Sequence, residues 1–190
     1  MRSPLDGIAL VTGNPGKLAE ARRLAGASLE AVDCDLPEIQ ELDIRKVLAA
    51  KGEEAWRRLR RPLIVEETGL ELQALNGFPG PLVKWMLEAV GAAGIARAAL
   101  ALGDARVTAR CVLLLVDDAR RVLAEGTTDG TLVLPPRGAN GFGWDPVFLA
   151  DGESLTYGEL EPARKDAIGH RGRAWRALLE RLATSSAPVL

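Results

Sequence analysis

Apolar and polar positions give the chain two textures. In the first half, short apolar runs alternate with stretches where apolar residues recur every three or four positions. "GIALVT" (residues 7–12) predicts a short buried strand that "GNPG" breaks. "KLAEARRLAG" then places Leu18, Ala21, Leu24 and Ala25 on one helical face. Pro15 suits the start of that helix, where its missing N–H costs nothing. "LEAVDC" predicts a second strand, and "DLPEIQEL" a loop. A long amphipathic helix follows over about residues 43–61, with Asp43 as its cap. "PLIVEE" predicts a third strand that ends on adjacent glutamates. Alternation sends Glu66 and Glu67 to opposite faces of it, one toward a cleft and the other elsewhere. Pro81 opens a helix through Leu82, Trp85, Met86 and Ala89, which "GIARAALAL" continues.

The second half is richer in strands. "RVTARCVLLLVDDARRVLAEGTT" predicts an antiparallel hairpin turning at "DDAR", with the partner strand continuing past Gly130. "PPRGANGFGWDP" is a long Pro- and Gly-rich loop of the kind that carries function. "VFL" predicts a short strand, and "RGRAWRALLERLA" a closing helix with Ala174, Leu178 and Leu179 inward. Alternating helices and strands followed by a β-rich half predict a mixed α/β fold of two lobes with a cleft between them.

Composition narrows the class. The 190 residues fit one domain, residues 1–190, large enough to bury a core. A formal net charge of −2 gives no general affinity for polyanions, so nucleic acid is not an expected partner, and phosphate chemistry must rest on a few local cations. No apolar run is long enough to span a membrane, and the first residues lead into a motif without a cleavage pattern, so a reduced cytoplasmic enzyme is expected. Cys34 and Cys111 lie beside apolar residues, which predicts buried thiols rather than a disulfide or metal pair.

Four segments offer chemistry, each with a plainer alternative. In "VTGNPGK" a strand ends and a helix begins, so backbone N–H groups and the helix dipole favour an anion. Thr12, Asn14 and Lys17 add side-chain donors and charge, although the spacing is not the Walker pattern. The same stretch also serves as a turn that needs glycine for shape. Glu38 in "LPEIQ" and Glu67 stand at separate strand ends, which suits Mg²⁺ bound through substrate phosphates, or else they are solvated loop acids. Phe142, flanked by glycines, offers a face for a flat base or plugs the core beneath its loop. His170, the only histidine, precedes Arg171 and Arg173 at a predicted helix start. Positive charge there opposes the dipole and asks for something negative nearby, unless the cluster is simply exposed.

Taken together and in order, "TGNPGK", "PEIQ", "EETGL", "GFPGPLVKW", "GFGWDP" and "KDAIGHRGRA" resemble one family, the inosine triphosphate (non-canonical purine nucleoside triphosphate) pyrophosphatases. The resemblance covers about residues 11–176. It implies a two-lobed α/β fold with a long curved central sheet flanked by helices, usually homodimeric. It also implies Mg²⁺-dependent hydrolysis of ITP, XTP or dITP to monophosphate and pyrophosphate. By that resemblance Thr12, Asn14, Lys17 and Lys51 hold the phosphates. Lys84 begins a helix packed near the cleft and is read as substrate-binding, the plainer alternative being an exposed lysine. Glu38 and Glu67 bind the metal, and Glu67 also orients or deprotonates water. Phe142 stacks on the purine, Trp144 and Asp145 shape its pocket, and Lys165, His170 and Arg171 read the base. Donors from Arg171 and His170 suit a 6-oxo group and leave a 6-amino group unmatched. Two positions depart from the family pattern: Glu67 where aspartate is usual, and Gly169 where serine is usual. Because both touch the implied site, a non-catalytic nucleotide-binding protein on the same fold is the alternative, and a pyrophosphatase for modified pyrimidine triphosphates is a third reading.

Overall fold

A computed structural model of the protein describes residues 5–185. The expected domain of residues 1–190 therefore extends beyond the described residues at both ends. Strand β1 (Ala9–Val11) leads to helix α1 (Pro15–Ala25), β2 (Glu30–Val32) and α2 (Ile44–Leu59). Then come β3 (Leu63–Leu72), β4 (Pro79–Gly80), α3 (Val83–Ala101), and the hairpin of β5 (Arg106–Val116) and β6 (Arg121–Leu132). Strand β7 (Phe148–Ala150) and helices α4 (Pro162–Ile168) and α5 (His170–Ser185) complete the chain.

The helices begin and end for local reasons. Asn14 caps α1, its side chain accepting from the Lys17 N–H at 3.1 Å, with Pro15 just inside and left-handed Gly26 closing the other end. Asp43 caps α2 by accepting from the Arg45 N–H at 2.9 Å. Helix α3 is interrupted at Gly91, whose φ of 67° and ψ of 173° are not helical.

One seven-stranded sheet runs in the order β2-β1-β3-β5-β6-β7, with β4 also on β3. The β2-β1-β3 part is parallel and the β3-β5-β6-β7 part antiparallel. Strand β3 extends past the predicted "EE" end to Leu72, paired with β5 along its whole length. Thr68, Leu70 and Leu72 continue the face of Ile64 with period two, a pattern the two glutamates and Gly69 disguise. Gly69 has its own reason. A Cβ there would lie 3.1 Å from the Gly80 carbonyl carbon, so glycine lets β4 approach.

Period-two alternation sorts the core. Leu10, Ile64, Leu113 and Leu115 pack against Ala21 of α1 and Ala174, Trp175 and Leu178 of α5. Val11, Val65, Val112 and Leu114 face Leu48 and Ala55 of α2. Farther along the long strands, Leu70, Leu72 and Val107 pack with Ile95 and Ala99 of α3 and with Phe148 and Tyr157. This third cluster, at the far end of the long strands, forms the second lobe. Leu179, expected inward, is only half-buried, because Trp175 and Leu182 fill the stripe beside Leu178. Cys111 is buried as expected, whereas Cys34 is half-buried because it follows the end of β2 at the cleft. No helix among the described residues is long and apolar enough to cross a membrane.

Helix α5 lies directly on β6 at Gly126, where a Cβ would stand 2.4 Å from both the Ala174 nitrogen and the His170 carbonyl oxygen. Both contacts are backbone, so Gly126→Ala must push the helix away. Overpacking of this kind costs about 1–3 kcal/mol or more. A lowered urea midpoint with an unchanged m-value is the expected result; an unchanged midpoint would contradict the close packing.

Candidate active site

The site begins with a break in the sheet. Strand β1 pairs only with Leu63–Val65 of β3, and β4 pairs only with Leu70 and Glu71, while β5 covers the other edge throughout. Among the described residues, 66–69 therefore have no strand neighbour on one side, and the gap is the floor of a cleft of about 860 Å³. Side chains from both faces of β3 turn into such a gap. Glu66 and Glu67 both line the cleft, so the expectation that only one of them would face it is corrected.

On one side, Glu67 Oε2 meets Lys51 Nζ of α2 at 3.0 Å, and the same ammonium meets Glu38 Oε1 at 3.0 Å. Burial opposes the charge on Lys51, but Glu67 and Glu38 outweigh it and raise its pKa. Burial likewise pushes Glu38 up, and Lys51, Lys84 and Lys17 together bring it down. On the other side, Glu66 is 3% exposed and pairs with Arg171 through contacts of 3.0–3.1 Å and with Lys17 at 3.4 Å. Burial alone would raise the Glu66 carboxyl. The charges of Arg171 and Lys17 override it and hold the group at about 2.

The pairs join into a buried chain of alternating charge. Arg171 also bonds Glu20, and Thr68 Oγ1 at 3.2 Å. Glu20 accepts from Lys165 at 2.8 Å, and Lys165 bonds Asp145 at 2.6 Å. Asp145 in turn accepts from the Phe142 N–H at 2.7 Å. The negative partners that a basic helix start asks for are thus Glu66 and Glu20.

Phe142 sits between glycines that the loop requires. Gly141 and Gly143 have φ of 72° and 64°, and a Cβ on Gly141 would lie 2.0 Å from Asp145 Oδ2. The Phe142 ring lies against Gly16 and near two cations, 4.9 Å from Lys165 Nζ and 5.4 Å from the Arg171 guanidinium carbon. His170 is 2% exposed, parallel to Tyr157 at 6.1 Å and tilted against Trp144 at 5.4 Å. Neither of its ring nitrogens has a hydrogen-bond partner among the described residues. Burial, then the nearby Arg171 and Lys165, hold its pKa well below the usual histidine value. A neutral imidazole with one donor and one acceptor therefore faces the cleft.

Of the residues singled out in the sequence, Thr12, Asn14, Lys17, Glu38, Lys51, Glu67, Lys84, Phe142, Trp144, Asp145, His170 and Arg171 all line this one cleft. Lys165 is the exception. It is buried behind Phe142, held by Glu20 and Asp145, and not on the wall. Asn14 and Thr12 are partly engaged by their own turn, since Thr12 Oγ1 accepts from the Asn14 N–H at 3.1 Å.

Sequence reasoning missed Glu20 and Thr68, and it gave Glu66, the neighbour of Glu67, no part in the site. Glu20 had a signal: it falls three residues after Lys17 and four before Leu24, on the same helical stripe. The sheet gap that brings in Glu66 leaves none. Both departures from the family pattern have a physical setting. Glu67, one methylene longer than aspartate, reaches Lys51 and accepts from the Thr68 N–H at 3.3 Å. At Gly169 a Cβ would lie 2.6 Å from the Lys165 carbonyl oxygen, so the α4–α5 junction leaves no room for serine on this backbone.

Comparison with known proteins identifies the family. Residues 8–181 match the Ham1 family profile. The chain is 37% identical over 174 residues to the inosine triphosphate pyrophosphatase of Batrachochytrium dendrobatidis, covering 90% of each chain. It is 38% identical over 171 residues to the inosine triphosphate pyrophosphatase of Schizosaccharomyces pombe, covering 88% of this chain and 90% of that one. A solved HAM1 protein from Coxiella burnetii superposes with a TM-score of 0.81 at 27% identity, covering 94% of this chain and 99% of that one. With a family match across nearly its whole length and relatives above one-third identity, the chain belongs to the Ham1 family.

Proposed function

We propose that the protein hydrolyses non-canonical purine nucleoside triphosphates (ITP, dITP and XTP) to the monophosphate and pyrophosphate. One observation carries the reading: where β3 is paired on one edge only, Glu67, Lys51 and Glu38 come together in a cleft that Lys17 and Phe142 also line. The relatives' names support the same activity.

Lys17, Lys51 and Lys84, with the N–H groups at the start of α1, receive the triphosphate. Glu67 orients a water and takes its proton as oxygen bonds to the α-phosphorus. The bond from that phosphorus to the bridging oxygen breaks, and pyrophosphate leaves with the electron pair. The lysines stabilise the charge that collects on the leaving group.

Glu38 and Glu67 would hold a divalent cation. Their oxygens converge on a single positive charge, 3.0 Å from each. Among the described residues no group of three or more His, Cys, Asp or Glu forms a metal cage. That suits Mg²⁺, which is commonly bound by one or two carboxylates together with substrate phosphates. When bound, the ion neutralises phosphate charge and fixes its geometry.

The purine stacks on Phe142, and Arg171, which can only donate, matches a 6-oxo acceptor rather than a 6-amino group. His170, with both nitrogens unpartnered, supplies a further contact. Lys165 acts from behind by fixing Asp145 and the Phe142 loop. A homodimer in the cytoplasm accompanies this reading through the resemblance, and sedimentation equilibrium tests the dimer.

The deciding experiment is pyrophosphate release from ITP with Mg²⁺, beside ATP and GTP. ITP-selective turnover is expected. ITP binding without turnover would replace the enzyme reading with a nucleotide binder. Phe142→Ala removes the stacking face, which is worth about 1–3 kcal/mol per base, so KM for ITP is expected to rise about 5–150-fold. Steady-state kinetics checks this; an unchanged KM would place the base elsewhere.

A further inference from the structure

Lys51 projects from α2 with its side chain 13% exposed, held between carboxylates from two separate elements. Glu38 lies in the loop after β2, and Glu67 on β3. The residues that would hold a divalent ion therefore already share one ammonium. A divalent cation and that ammonium repel each other and cannot both occupy the space between the two glutamates. If a free ion displaced Lys51, the ammonium would be left in a partly buried cleft without its partners. If the ion arrived with a triphosphate, phosphate oxygens would receive the ammonium. A lysine suits the exchange, being a compact charge on a flexible four-carbon stem.

We propose that Lys51 occupies the divalent-cation seat of the nucleotide-free protein, so that the ligand taken up is the metal–triphosphate complex and not the free ion. This rests on the pyrophosphatase reading for the identity of the triphosphate. The cleft favours the same order of events. Lys17 and Lys84 also open onto it, and both act on Glu38. The cleft also carries carboxylates, among them Asp33 and Asp35, but at the Glu38–Glu67 seat a lone cation must displace Lys51, whereas the phosphates of a complex give all three lysines partners.

The test is Mn²⁺ binding to the full, nucleotide-free chain, read by electron paramagnetic resonance, with thermal melts confirming that each variant is folded. Lys51→Met and Lys51→Gln are both expected to bind Mn²⁺ at least about tenfold more tightly than wild type. Lys51→Arg, which keeps the charge, is expected to stay near wild type, and adding Glu38→Gln to Lys51→Met should erase the gain. A non-hydrolysable ITP analogue should tighten Mn²⁺ binding to the wild type. If neither neutral variant binds Mn²⁺ more tightly, or if Lys51→Arg tightens it equally, the seat is not occupied by Lys51. ITP turnover by the wild type is measured separately. Turnover with no gain in the neutral variants overturns this inference alone, while a gain without turnover upholds the seat and removes the pyrophosphatase reading.

Discussion

Glu67→Gln should lower kcat for pyrophosphate release from ITP by about 10²–10⁴-fold, the usual contribution of a positioned general base, with little change in thermal stability. Glutamine keeps the length and can still meet Lys51, but it carries no charge and takes no proton. Glu66→Gln is the informative companion. Glu66 is the neighbouring residue on the same strand, yet its partners are Arg171 and Lys17 rather than Lys51. Its loss should act mainly on folding. Rapid-quench kinetics with both variants separates the two. If Glu67→Gln retains wild-type turnover, the water-activating role belongs to another group.

The second large effect concerns stability. Arg171→Met is expected to destabilise the protein by about 3–5 kcal/mol, because it leaves two buried carboxylates with one cation each, Lys17 for Glu66 and Lys165 for Glu20. Glu66 and Glu20 are 3% and 6% exposed, and both lean on this guanidinium. The sign with pH follows from Glu66. Its folded pKa, about 2, lies below the ordinary glutamate value of 4.5. The stabilisation is therefore present above about pH 4.5 and is lost as pH falls through about 2. In the variant the buried glutamates regain a raised pKa and become neutral more readily. The stability gap between the two proteins should narrow as pH is lowered from 7 toward 4. Urea melts across that range check it, and a gap that widens would show that Arg171 is not the balancing charge.

Much of the fold was legible from local patterns. Pro15, Asn14 and Asp43 marked their helix starts because capping is a short-range matter. The hairpin at "DDAR" and the closing helix over "RGRAWRALLERLA" were equally readable. The length of β3 was harder to read, since Glu66, Glu67 and Gly69 look like the end of a strand when its neighbours are unknown. They are explained by what adjoins them: a gap in one case and the Gly80 backbone in the other. The site shows the same division. Lys17, Glu38, Phe142 and His170 stood out through their motifs, and all reach the cleft. That Lys165 lies behind Phe142, and that Glu20 binds two cations at once, depends on contacts between residues about 145–151 positions apart. No local pattern carries such information.

The unbroken course of β3, β5 and β6 has one further consequence. Neither lobe owns a complete set of strands, because the same three segments furnish the framework of both. The two halves cannot melt one after the other as independent modules would. Heat should therefore abolish the catalytic pocket and the native structure in a single step, and calorimetric and van't Hoff enthalpies should agree. For this chain, tolerance to mutation anywhere in the framework is also tolerance of its chemistry.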